Sequence, residues 1–156
     1  MGRRTRAVLV SLLLLLTLAV SASAAAVKMT VGVRFWRESG DKESMADSAV
    51  DTTREATLTR QPNGTFTLEL PVKQLSSMNM TGSLTGIAIG EVNYDGTLSG
   101  DLSDGTAVLT LKNLPASVLT GSDSSKALAV TCSIKMDTIL LGDITTSAKM
   151  SIWVER

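Results

Sequence analysis

Histidine is absent from this sequence of 156 residues, cysteine occurs once, and the only aromatic residues are two tryptophans, two phenylalanines and one tyrosine. Without histidine the chain lacks the commonest general base and the commonest imidazole metal ligand. The single Cys132 excludes an internal disulfide, so packing must hold the fold together. Cys132 also sits inside a strictly alternating run, where a buried, inert thiol is the default reading and a nucleophile the exception. No glycine-rich phosphate loop occurs, since Gly86 and Gly90 stand in the wrong context for one. Asp95, Asp101 and Asp104 lie among glycines, but their spacing matches no calcium loop and reads as solvated turn acids. Basic clusters are missing as well, and fifteen Lys and Arg balance fifteen Asp and Glu. Such a chain has no electrostatic footprint for nucleic acid or for an anionic membrane. Together these absences argue against an enzyme and for a binding role.

What is present begins with an export signal. Arg3, Arg4 and Arg6 form a positive start, Ala7 to Val20 an apolar run, and Ala22-Ser23-Ala24 a small-residue cleavage site. The apolar run has the length of a secretory core and is short for a spanning helix, which makes an uncleaved anchor the weaker reading. Its leucine-rich centre favours the general export route over the twin-arginine one. Residues 1–24 are therefore expected to be a signal peptide and residues 25–156 one working domain, 132 residues long and able to bury a core. Twelve basic against fifteen acidic residues remain after cleavage, a net charge of −3. No cysteine stands near the cleavage site to carry lipid, and no apolar tail follows Trp153-Val154-Glu155-Arg156. Leu114-Pro115-Ala116-Ser117 lies mid-domain, without the tail a wall-sorting signal needs, and reads as a loop. The expectation is a secreted, extracellular or wall-associated protein with no membrane insertion after signal cleavage.

Beyond Ala26 the pattern is alternation broken by turn residues, with no sustained helical period. Val31, Val33 and Phe35 predict a first strand ending near Trp36, followed by a turn through Gly40. Arg54 to Gln61, the turn Pro62-Asn63-Gly64, and Thr65 to Leu70 predict a hairpin that buries Phe66, Leu68 and Leu70. Gly82 to Val92 reads as a strand bulged by its glycines, and Asp95-Gly96 and Asp104-Gly105 as turns. Ala107, Leu109 and Leu111 alternate; so, without a break, do Leu128, Val130, Cys132, Ile134 and Met136. After Gly142-Asp143, Met150, Ile152 and Val154 give a last strand with Trp153 on its opposite face. The one place for a short helix is Lys42 to Ser48, capped by Asp41. Seven or eight short strands at this spacing predict an all-β sandwich or Greek-key barrel.

Methionine is the conspicuous residue. Met29, Met136 and Met150 occupy alternating positions, where a flexible core filler is the default. Met45 instead stands in a polar turn, Asp41-Lys42-Glu43-Ser44-Met45-Ala46-Asp47, where packing explains it less well, and Met78 and Met80 flank Asn79 on a loop rim or strand.

The stretch Met29 to Val72 resembles the NEAT domain of Gram-positive bacterial surface and secreted proteins. The match runs through Phe35-Trp36-Arg37, then Gly40-Asp41-Lys42-Glu43-Ser44-Met45-Ala46-Asp47, then a hairpin, Ala56-Thr57-Leu58-Thr59 and Asn63-Gly64-Thr65-Phe66-Thr67-Leu68-Glu69-Leu70. It covers about a third of the exported chain. The resemblance implies an immunoglobulin-like β-sandwich with one short lip helix, and haem or a haem protein as partner. It also implies that Ser44, on the lip, contacts a haem propionate. Departures follow: the positions where the family carries an iron-ligating tyrosine and its neighbour fall near Ile144 and Ala148, and no tyrosine follows Tyr94. The aromatic lip of haemoglobin-binding members is missing from Asp47-Ser48-Ala49-Val50.

Two readings follow. In one, a non-enzymatic module captures or relays haem for iron acquisition, with a thioether from Met45, Met136 or Met150 as axial ligand. In the other, the same fold binds a protein or glycan at the cell surface without a cofactor. Asn63-Gly64-Thr65 and Asn79-Met80-Thr81 are glycosylation sequons, which count only in a eukaryotic host.

Overall fold

The structure, a computed structural model, describes residues 24–77, 79–138 and 142–156. Residues 1–23 of the expected signal segment, and Met78, lie outside the described residues. No helix among the described residues is long and apolar enough to cross a membrane.

Strand β1, Val27–Arg37, sets the architecture. Its alternation sends Val31, Val33 and Phe35 into the core, while Arg34 and Trp36 stay half-exposed on the other face. Its first half pairs with β2 (Ala56–Arg60), and its second half with β10 (Asp143–Val154), so that Val31 faces Ala56 on one side and Val154 on the other. One layer continues from β2 through β3 (Phe66–Pro71) to β8 (Val108–Leu114) and β7 (Thr97–Ser99). The other continues from β10 through β9 (Leu128–Met136) to β5 (Met80–Ile89), which carries β4 (Leu75–Ser77) and β6 (Val92–Asp95). All pairings are antiparallel, and the two layers enclose one core that includes Phe35, Leu58, Leu68, Leu111, Ile134 and Met150. Each such fully buried side chain contributes roughly 1.5–3 kcal/mol. The fold is an all-β, immunoglobulin-like sandwich.

The chain also crosses between layers at Gly96, between β6 and β7. A Cβ there would fall 2.3 Å from Leu109 Cδ1, so only glycine fits, and the Gly96 N–H donates to Thr85 O at 2.8 Å. The turns recur chemically. In Asp51–Thr53, Asn63–Thr65, Asp101–Ser103, Asp104–Thr106 and Asp123–Ser125 the first residue's Oδ1 accepts both the N–H and the hydroxyl of the residue two further on.

The strands expected from alternation are present, with corrections where local pattern misleads. There are ten strands among the described residues, because β4, β6 and β7 are three or four residues long and too short to show a period. The bulge expected in β5 lies between Leu84 and Gly86, but Gly90 (φ +59°) turns the chain and Val92 belongs to the next strand. The expected helix is a shorter 3-10 turn, Met45–Ala49, and its cap is Ser44 rather than Asp41, since the Ser44 hydroxyl accepts the Ala46 N–H at 3.2 Å.

Candidate functional site

The lip is built on an unpaired edge. Antiparallel pairing with β10 uses alternate residues of β1, which leaves the N–H and C=O of Phe35 pointing the other way. Both are satisfied by the lip: the Phe35 N–H donates to Asp47 Oδ1 at 2.7 Å, and Phe35 O accepts the Ser44 N–H at 2.9 Å. The turn is tightened by Asp47 N–H to Ser44 O (3.0 Å) and Val50 N–H to Asp47 O (3.0 Å). Burial pushes the Asp47 carboxyl above its ordinary value, against the opposing pull of the Phe35 N–H and the nearby Arg34.

Before this lip lies a groove of about 550 Å³, lined by Ser44, Met45 and Asp47 with Arg34, Arg37 and Lys73 among others. Arg34 pairs with Glu43 at 3.1 Å and lies 5.5 Å from the Trp36 ring centre. The Trp36 indole in turn donates to Ser151 Oγ at 2.9 Å. Ser44 is buried at the groove floor, and its oxygen is engaged as the cap while its hydroxyl hydrogen remains to donate. Met45 is 38% exposed, the one large apolar side chain standing out from the lip. The lining is otherwise mostly polar and charged.

The structure brings Ser44 and Met45 together and leaves the other two methionines apart from them. Met150 is fully buried, between Phe35 and Leu128 in the strand register. Met136 is 8% exposed and sits against Gly82, where a Cβ would fall 3.0 Å from its Sδ. Both thioethers are occupied as core packing, and a metal would reach them only by displacing it. Ile144 is half-buried and Ala148 buried, and Tyr94 lies away from the lip on β6. Cys132 is buried, and desolvation pushes its thiol up to about 12, which keeps it protonated and inert. No cluster of acidic or cysteine side chains suited to a metal ion occurs among the described residues.

Sequence reasoning missed Asp47, whose buried role depends on an edge that appears only when β1 is paired. The one local signal was a carboxylate three residues after a serine, at a helix start.

No protein-family profile matches the chain, and no curated protein matches it. Among solved structures it is similar to the NEAT5 domain of IsdX2, a B. anthracis hemophore, in complex with heme. That match has 12% identity over 85% of this chain and 99% of that one, with a TM-score of 0.53. It is also similar to a mutant IsdX2-NEAT5 in complex with heme, at 11% identity over 85% of this chain and 98% of that one, with a TM-score of 0.55. At such identity the likeness is one of architecture, and this chain has a NEAT-like fold.

Proposed function

We propose that this chain is an exported, non-enzymatic binding protein that captures haem outside the cell, for use in iron acquisition. The observation that carries this reading is the lip: on a NEAT-like fold, one short 3-10 turn sets a serine hydroxyl and an exposed thioether on the same groove. Haem bound there would present carboxylates and an iron. Ser44 would donate to one propionate, Arg37 and Lys73 would supply the opposing positive charge, and Met45 Sδ would be the axial ligand. Capture calls on no general base and no nucleophile in the protein, and the one thiol, Cys132, is buried and protonated. Export is supported by the arginines, apolar run and Ala22-Ser23-Ala24 at the start of the chain. Cleavage after Ala24 would leave residues 25–156 as a soluble secreted or wall-associated domain.

The polarity of the groove favours a second reading, a cofactor-free module for a protein or glycan at the cell surface. A titration separates the two. Haemin added to the purified protein should give a Soret shift that saturates at one equivalent and is lost or displaced in Met45→Ala. An unchanged spectrum at roughly micromolar haemin would rule out a capture function and leave the second reading.

A further inference from the structure

The lip groove has a smaller neighbour, a crevice of about 250 Å³ with which it shares Arg34, Val50 and Thr52. The crevice opens where β1 leaves one layer for the other. Pairing with β2 stops at Val31, and the lip covers the same edge only at Phe35. Between them the Val33 N–H and C=O point away from β10 and meet no partner among the described residues. Arg54 fixes one wall, donating to Asp51 Oδ2 (2.8 Å), Ala107 O (2.6 Å) and Val72 O (3.3 Å). Trp153 forms another, so close to Gly32 that a Cβ there would fall 2.2 Å from the ring atom Cε2. No methionine lines the crevice, so Met45 is the one sulfur that lines either concavity.

The other methionines are placed differently. Met150 is fully buried, Met136 is 8% exposed, and Met29 and Met80 are partly buried against the core. Met45 is 38% exposed and stands outside that core. Its turn holds the backbone and leaves the side chain out: Ser48 Oγ donates to Met45 O at 2.6 Å, and the Ser44 hydroxyl caps the turn at the Ala46 N–H. Cys132, the one thiol, is buried and stays protonated, which leaves peroxide to the thioethers.

A thioether reacts with peroxide by presenting a sulfur lone pair in line with the O–O bond. A sulfur packed on all sides does so only when the fold opens, whereas an exposed one needs no opening. The product is also tolerated unequally. A sulfoxide is polar and disrupts a core, as it would at Met150. At Met45 its oxygen meets solvent and a groove whose lining includes the donors Arg37 and Lys73. We propose that Met45 is an oxidation switch: hydrogen peroxide converts its thioether to the sulfoxide and so turns off haem capture without unfolding the domain. The sulfur attacks one peroxide oxygen and the O–O bond breaks. The departing hydroxide takes the proton left on the transferred oxygen and leaves as water, so the sulfur loses two electrons and the peroxide gains them. Bonded to oxygen, the sulfur is no longer the soft donor that suits haem iron, and the oxygen it gains is a hard one. The switch rests on the haem reading above; the selectivity of the oxidation does not.

The test treats the haem-free exported protein with limiting hydrogen peroxide and follows the gain of one oxygen atom at each methionine by peptide mass spectrometry. Met45 should react several-fold faster than Met29 and Met80, and at least roughly tenfold faster than Met136 and Met150. The unfolding midpoint should not move. Haemin titrated afterwards should have lost its Soret shift in proportion to the oxidised fraction of Met45, and methionine sulfoxide reductases with a dithiol should restore it. Met45→Gln, which places a polar oxygen near where the sulfoxide has one, should behave as the oxidised protein does, again with an unchanged midpoint. Met80→Leu should keep both the haemin response and its sensitivity to peroxide. A Soret shift that survives complete oxidation of Met45 overturns the switch and leaves haem capture standing. Oxidation of Met136 or Met150 at the rate of Met45 overturns the selectivity. An absent Soret shift before any oxidation sinks the haem reading itself, and the switch with it.

Discussion

The two concavities that meet at Arg34 are made by the same strand edge in different ways. At Phe35 the edge is covered: a buried carboxylate and the backbone of the lip take both polar groups. At Val33, two residues earlier, the edge is left open, and the walls around it are fixed by Arg54 and by Trp153 on Gly32. The lip groove is accordingly wide and polar with one flexible side chain, Met45, whereas the crevice is small, with fixed walls. A strand that changes layers must expose part of its edge, and this chain uses the exposed part once to anchor a helix turn and once to leave a pair of polar groups unfilled.

The comparison breaks most sharply at Arg54. Arg54→Ala removes three hydrogen bonds and leaves Asp51 without its ion pair, in a side-chain pair that is 29% and 14% exposed. A loss of about 2–3 kcal/mol is expected in chemical denaturation. The crevice wall should loosen while the lip, whose residues are not among the three hydrogen-bond partners of this guanidinium, keeps its haemin spectrum. Loss of the haemin response in a folded variant would show that the two concavities are one unit.

Asp47 tests the covered half of the edge. Asp47→Ala strands the buried Phe35 N–H and should cost about 1–2 kcal/mol. Asp47→Asn should cost much less, since an amide oxygen still accepts that N–H and no charge has to be buried. The sign follows from the raised carboxyl pKa: the fold holds this proton more tightly than the unfolded chain does, so ionisation costs stability as pH rises through the carboxylate range. The Asn variant should lack that dependence, and equal destabilisation by Asn and Ala would sink the account.

Asp51, on the crevice side, has the opposite sign. The Thr53 hydroxyl and then the Arg54 guanidinium hold its carboxyl at about 2, below the ordinary 3.8. Its contribution is fully present above the ordinary value and is lost as pH falls from there toward 2, amounting to about 1 kcal/mol after solvent screening. Acid titration of stability in the wild type and in Asp51→Asn should diverge in that window and in no other.

Much of this architecture was legible in the sequence because alternation survives wherever a strand has one buried face. Leu128 to Met136, Phe66 to Leu70 and Val31 to Phe35 each announce themselves in this way. The short β4, β6 and β7 do not, as three or four residues cannot establish a period. Ser44 and Met45 stand out as candidates in the sequence, one through a resemblance and the other as a methionine in a polar turn, and the structure adds that both line one groove. The crevice was not: it depends on Gly32 lying opposite Trp153 and on where β2 lets go of β1, and both are properties of register between residues far apart in sequence.

The smallest effect on stability belongs to Met45, and there the comparison becomes most informative. The side chain is 38% exposed and stands over a groove rather than in the core, so Met45→Ala should change stability by less than about 0.5 kcal/mol. Met150→Ala, by contrast, empties a fully buried site and should cost about 2–5 kcal/mol. If a thioether is the axial ligand, the Soret band should collapse in the variant that is barely destabilised and persist in any folded population of the other. The reverse pattern, with Met45→Ala spectrally silent, would move the iron away from the lip.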